Sequence, residues 1–433
     1  MKKPSLAALA LCYALGAAAQ TPDTAAPEGY RFTDVKILPV TPVKDQSRSG
    51  TCWCYSTLSF FESEILRAGG PELDLSEMWI VRNIYFEKAV KYVRLHGSLN
   101  LAVGGQAHDV LHGIEAYGIV PEEVYPGLNY GYDKPNFDEI DAVIKAYADA
   151  VIKAGGKRSD SRLTTAWQAG LNGILDAYFG PMPGKFTYRG RESTPASFAA
   201  SLPIDLGDYI EFTSFTHHPF YTEFAMEVPD NWNWDKVWNV PLDEFMQIID
   251  NSLEKGYTIS WGTDVSEKGF SRTKGLGIVP EADLEGMQGT EAEKWGKLTQ
   301  KEKDEALYKF DKPGRERTVT QELRQKGYDN YETTDDHGMQ IVGTATDQNG
   351  TPYYKVKNSW NTTGPYDGYW YFSRPFVAYK TTSVMVNKHA LPKEIAHKDA
   401  VYNLSRAALV PAAFCEGRHD LLAIATEDKL HQP

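Results

Sequence analysis

The chain has 433 residues, of which 42% are hydrophobic, 12% aromatic and 24% charged, a composition that fits a folded globular protein of two domains or one elaborated unit. Its net charge of −13, with no basic run interleaved with aromatics, argues against nucleic acid or an anionic membrane as partner. Only four cysteines occur, so a disulfide framework is not expected to hold the fold.

The N-terminus reads as a signal peptide over residues 1–19. Met1-Lys2-Lys3 is its basic end, Leu6 to Leu15 its apolar core, and Ala17-Ala18-Ala19 its small-residue cleavage site. That apolar run is too short to span a bilayer, so the expectation is export, to a periplasm or as a secreted protein. With Cys12 inside the signal, the mature chain keeps Cys52, Cys54 and Cys415. Residues Gln20 to Asp34 are rich in Pro, Thr and Ala and read as a flexible lead-in.

The stretch from Gln46 to Phe60 starts as a polar turn and becomes a helix. Cys54, Leu58, Phe61 and Ile65 fall on one helical face, and Gly69-Gly70-Pro71 stops the run. Cys54 is thus a small core residue. Cys52 sits at the helix N-terminus, where free N–H groups and the dipole are expected to depress a thiol pKa. Gln46, six residues earlier, can return its amide to that end, giving with the Cys52 N–H a two-donor oxyanion hole. Read alone, Cys52 would be an inert buried thiol, and it is its neighbours that point to a nucleophile.

A second helix begins near Leu73-Asp-Leu-Ser-Glu-Met-Trp79, with Asp74 or Ser76 as N-cap. Gly104-Gly105-Gln106 opens another that runs through Tyr117. Residues 135–180 predict a helical hairpin. Its stripes are Ile140, Val143, Tyr147 and Val151, then Leu163, Trp167, Leu171, Ile174 and Tyr178. Residues 181–240 read as loops and short strands, Pro241 to Lys255 as an amphipathic helix, and Tyr257 to Gly262 as a strand. His108 and His112 have metal-like spacing, but the Glu of a zinc-peptidase motif and a third ligand are missing, so neither a metal nor any cofactor is expected.

Asp335-Asp-His337-Gly-Met-Gln-Ile-Val-Gly343 enters an apolar strand, Asp347-Gln-Asn-Gly350 is a hairpin turn, and Tyr353 to Trp360 returns. This places His337 beside Asn358 at the strand ends. His337 can then act as general base and acid, Asn358 can fix its tautomer, and Trp360 can cover their bond from water. Alone, these would be a solvated turn histidine and a strand-end asparagine. Gln-x5-Cys-Trp, Asp-His-Gly and Asn-Ser-Trp in that order are a specific set.

Gln46, Cys52-Trp53, His337 and Asn358-Ser-Trp360 together resemble the papain-like cysteine peptidases. Ser49 stands where secreted relatives have a disulfide cysteine, and Asn361 stands where Gly is usual. The separation of 285 residues between Cys52 and His337 is about twice the usual spacing. With the Thr-Thr-Asp-Asp-His-Gly-Met run and Asn387-Lys-His-Ala-Leu-Pro392, it resembles the bleomycin hydrolase/aminopeptidase C branch. The resemblance implies an α+β papain-like fold, with a helical half at about 46–130, a large mainly helical insertion at about 131–330 and a β-rich half at about 331–395. Residues 396–433 form a tail with no assigned role.

It also implies a catalytic set of Cys52, His337, Asn358 and Gln46, and a substrate-binding wall of Gly104, Gly105, Gln106, Trp53 and Trp360. Gly104-Gly105 would let substrate backbone approach, a glycine-rich helix start being the other reading. The implied function is thiol-dependent removal of N-terminal residues from peptides, by a homo-oligomer, a hexamer in the family. An endopeptidase, an acyl transferase and a non-catalytic peptide-binding protein are the alternatives.

Overall fold

The computed structural model describes residues 29–155, 162–281 and 297–395. The expected signal, residues 1–19, and the tail, residues 396–433, lie outside the described residues. So does most of the predicted lead-in, but its end does not read as flexible: Phe32–Ile37 is strand β1.

Helix α1 (Cys52–Arg67) is buried on almost every side from Trp53 to Ile65. Its two faces are buried by different means. Cys54, Leu58, Phe61 and Ile65 enter an apolar core shared with α2 (Glu77–Arg94) and α3 (Ala107–Tyr117). Helix α2 is capped by Ser76, whose hydroxyl accepts the Trp79 N–H at 3.0 Å. Helices α4 (Asp138–Gly155) and α5 (Ala166–Phe179) form the predicted hairpin on the outside of α2.

Their buried faces differ from the predicted stripes. They are Ile140, Ile144 and Ala148 on α4, and Leu171, Leu175 and Phe179 on α5, while Leu163 precedes its helix and stays 45% exposed. Tyr147 remains at the rim because its hydroxyl donates to the Trp167 carbonyl at 2.8 Å.

The opposite face of α1 meets a sheet. Strands β2 (Phe186–Tyr188) and β3 (Arg191–Ser193) make a separate hairpin, followed by the short helix α6 (Pro195–Ala199). Next come β4 (Tyr209–Thr213), β5 (Thr222–Ala225), β6 (Lys236–Asn239), α7 (Leu242–Lys255), β7 (Ile259–Thr263), β8 (Phe270–Ser271) and β9 (Leu276–Gly277). The last strands are β10 (His337–Asp347), β11 (Pro352–Lys357), β12 (Tyr369–Ser373) and β13 (Thr381–Asn387).

The main sheet runs β5-β6-β4-β13-β7-β10-β11-β12-β9-β8, with β1 also on β10. Six of its strands fall between residues 131 and 330, and β7 lies between β10 and β13. The β-rich half therefore does not begin at residue 331. Hydrogen bonding to β10 and β13 draws the nominal insertion into the same sheet, which period-based reading of single strands does not reveal.

What joins α1 to the sheet is polar. Gln340 on β10 is fully buried. Its carbonyl accepts the Ser59 hydroxyl at 2.7 Å, and its amide donates to Ser63 at 2.8 Å and Thr258 at 3.0 Å. Thr57 and Ser260 share a hydroxyl bond of 3.0 Å, and Lys357 donates to Ser59 at 2.6 Å. Every member has a partner, so the contact fixes the position of β10 along α1 as well as stabilising it.

Replacing Gln340 with Leu would strand these buried hydroxyls. The expected cost is about 2 kcal/mol or more, read as a lower urea midpoint with an unchanged m-value. An unchanged midpoint would show that the stitch contributes nothing.

Candidate active site

Cys52 is the first residue of α1 and is half-buried. The expected fall in its pKa is not what the structure gives. Burial pushes the thiol up to about 12, and the charges of Asp335 and Asp230 add to that. The backbone N–H groups of Gly338 and Trp53 point at the sulfur and work the other way. The helix end thus helps the thiolate, but desolvation outweighs it.

His337 begins β10 and is buried. Its Nε2 lies 2.9 Å from Asn358 Oδ1, and that oxygen also accepts the Ser359 backbone N–H at 2.7 Å. An atom that accepts from an amide N–H is the carbonyl end of the Asn side chain, so Nε2 is the donor of the pair. Neutral His337 is therefore protonated on Nε2, and Nδ1 is left as its proton acceptor. Burial pushes its pKa down to about 4, against the Asn358 hydrogen bond and with the Arg272 charge. The resting pair at neutral pH is a thiol and a neutral imidazole.

Residues 358–360 hold three things at once. Asn358 orients His337, and the Ser359 hydroxyl donates to Gln46 Oε1 at 2.5 Å. Trp360 stacks on His337 with ring centroids 4.5 Å apart. The Gln46 loop is laced to the same segment by Gln46 N–H to Ser359 O at 2.8 Å and Asn361 N–H to Lys44 O at 3.1 Å. With its carbonyl engaged, Gln46 has its amide NH₂ as the end left to donate. Asn361 takes a left-handed backbone, φ 63°, at the position where the resembled pattern has glycine.

Cys52, Trp53, Gly104, Gly105, Gln106 and His337 line one cavity of about 350 Å³. Gln46, Asn358 and Trp360 do not line it. Trp360 was expected in the substrate wall, but its ring is spent on covering His337 and carries Arg272 at 4.7 Å. The two glycines are needed for internal reasons. A Cβ on Gly104 would sit 1.9 Å from Asp230 Oδ2, and one on Gly105 would sit 2.8 Å from the Trp53 ring and from Asp109 Oδ2. Trp53 is itself fixed by its indole N–H to the Val103 carbonyl at 3.0 Å.

Two cavity residues were not anticipated. Asp335 accepts from the Gln106 amide and from Thr382 at 3.2 Å, and burial followed by the Asp230 charge raises its pKa to about 7. Its place two residues before His337 was the available signal. Asp230 comes from the loop before β6, far in sequence from every motif, and nothing nearby marks it. Ser359 was visible only as the middle of Asn-Ser-Trp.

The histidines with metal-like spacing diverge. His108 Nδ1 meets Glu211 at 2.8 Å and His112 Nε2 meets Glu87 at 2.8 Å. His108 with Asp109 and Asp235, and His217 with His218 and Glu227, place ligand-type atoms within 4.8 Å of one another. His217 and His218 both bind Glu227 directly, at 3.0 and 2.9 Å. Among the described residues no helix is long and apolar enough to cross a membrane.

The profile of the papain family cysteine protease domain matches residues 26–137 and 317–389, the two segments that carry Cys52 and His337. Aminopeptidase C of Lactobacillus delbrueckii subsp. lactis is 24% identical over 399 residues, covering 82% of this chain and 81% of that one. The crystal structure of PepW from Lactobacillus rhamnosis superposes with a TM-score of 0.64 at 22% identity, over 84% of this chain and 83% of that one. A local likeness of another kind is to homoserine kinase of Symbiobacterium thermophilum, 46% identical over 59 residues, 14% of this chain and 18% of that one. The chain has a papain-like α+β fold and carries a papain-family peptidase domain. It is a cysteine peptidase, similar in sequence and fold to the aminopeptidase C group.

The pH dependence of Cys52 alkylation by the neutral reagent iodoacetamide follows from the pair. Below about 4 His337 takes a proton and can no longer accept one from the thiol, so reactivity should rise through a limb near pH 4. In His337→Ala only the thiol titration toward 12 should remain. A wild-type limb near pH 6.5, the ordinary imidazole value, would contradict this electrostatic account.

Proposed function

We propose that this chain is a thiol-dependent aminopeptidase working through a Cys52–His337–Asn358 triad and an acyl-enzyme. The observation that carries the reading is the tautomer fixed by Asn358, which leaves Nδ1 of His337 as the acceptor on a cavity that Cys52 also lines. As the thiol attacks the peptide carbonyl, its proton passes to His337 Nδ1, and the new imidazolium is supported by Asn358. His337 then gives the proton to the leaving amine. Water, deprotonated by His337, attacks the thioester, releases the acyl product and restores the thiol. Gln46 and the Cys52 N–H are the proposed donors to the oxyanion. No other chemical group is required.

Removal of N-terminal residues is supported by the likeness to Aminopeptidase C along most of both chains. The test is hydrolysis of a free-amine aminoacyl fluorogenic amide against its N-acetylated twin, with a thiol present. Cleavage of the free amine alone, reduced by at least about 10³-fold in Cys52→Ala, is the expected result. Equal cleavage of both would make the protein an endopeptidase, and no Cys52-dependent cleavage would end the peptidase reading of this site. The segment Met1–Ala19 supports action outside the cytoplasm. The same activity assayed in the extracellular and cytoplasmic fractions checks that, and recovery only from cytoplasm would refute it.

A further inference from the structure

The cavity beside Cys52 is more acidic than peptide-bond hydrolysis requires. Asp230 and Asp335 both line it, from different parts of the chain, and both are felt electrostatically by the sulfur. Neither role in the triad nor support of the oxyanion accounts for them, since negative charge there opposes the thiolate.

Their remaining bonding capacity is large. Asp335 accepts one bond on each oxygen, from Gln106 and Thr382, and Asp230 accepts one from Asn100 at 2.9 Å. A carboxylate offers about four acceptor sites. Asp336, the third aspartate on the cavity, has less to spare, since it already accepts three bonds, from the backbone N–H groups of Val265 at 2.8 Å and Ser266 at 3.2 Å and from the Thr334 hydroxyl at 3.5 Å. Lys88 is the nearby cation. It gives its protons to the carbonyls of Ala102 and Gly104, and its charge bears on Asp230. With its pKa near 7, Asp335 is only partly ionised at neutral pH, and a bound ammonium would favour its charged form, as it would that of Asp230.

A peptide presents three kinds of group to such a wall. Its N-terminus is a cation, its C-terminus an anion, and its interior neutral. The wall attracts the first, repels the second and gives nothing to the third. About 350 Å³ is room for the end of a peptide, with the first carbonyl at the thiol.

We propose that Asp230 and Asp335 bind the free α-ammonium of the substrate's N-terminal residue and thereby select aminopeptidase over endopeptidase action. The proposal rests on the thiol-peptidase reading given above. The two aspartates are specificity-determining residues, and the substrate class is peptides with an unblocked N-terminus.

The experiment compares wild type, Asp230→Asn, Asp335→Asn and the double variant on three fluorogenic amides. These are a free-amine aminoacyl amide, its N-acetyl twin, and an N-acetyl dipeptidyl amide with lysine at the blocked first residue. Thermal unfolding checks that each variant folds, and the half-buried Asp230→Asn is read alone if Asp335 variants do not. The expected result is a rise of tenfold or more in KM for the free amine, with the twin still uncleaved, and recovery in Asp335→Glu. If wild type prefers the free amine and the variants keep that preference, the anchor is wrong while the peptidase reading stands. If wild type prefers the lysine substrate and the variants lose it, the wall reads a basic side chain and the proposal is overturned. Absence of any Cys52-dependent cleavage would remove the peptidase reading and the proposal with it.

Discussion

The site depends on how closely one strand approaches one helix. Gly338, next to His337 on β10, touches the first turn of α1: a Cβ there would lie 2.7 Å from Ser56 Oγ, 3.1 Å from Trp53 Cα and 3.2 Å from the Cys52 carbonyl. Only a residue without a side chain lets the backbone come this near. The same approach aims the Gly338 N–H at the sulfur and puts His337 on the cavity of Cys52. Farther along, Gln340 locks the distance through Ser59, Ser63 and Thr258.

This arrangement costs the reacting groups their solvation. Burial raises the thiol and lowers the imidazole, so both charged forms are disfavoured at rest. The compensation is local and fixed. Two backbone N–H groups face the sulfur, Asn358 faces Nε2, and Trp360 shields that bond. Charge appears only as the proton moves, where prearranged dipoles act with little reorganisation. The segment 358–360 gives this its economy, since orienting His337, fixing the Gln46 amide and covering the pair all fall to three consecutive residues.

Much of the helical half was legible because its helices bury clear stripes. Cys54, Leu58, Phe61 and Ile65 are all fully buried, as their spacing implies. The strand pair around His337 and Asn358 was legible from its turn and alternating residues, and β10 and β11 form that hairpin. The limits of the β-rich half were not. Strands of two to five residues carry too little pattern to show that β4 to β9 join the same sheet as β13. Cys52 was read from the helix dipole, a local feature, whereas its titration is set by burial, which depends on the whole fold. Asp230 reaches the cleft only through the path of a long loop, so no spacing could place it there.

The most direct test of the central constraint is the kcat of Gly338→Ala on a free-amine aminoacyl amide, with its thermal midpoint recorded alongside. A methyl group at that point must push β10 away from the first turn of α1, and a displacement of about 1 Å at a reacting pair can cost roughly 10²-fold. The account predicts a loss of that order in a variant that still unfolds cooperatively. Wild-type kcat in Gly338→Ala would contradict it, because the close approach would then be incidental to bringing His337 to Cys52.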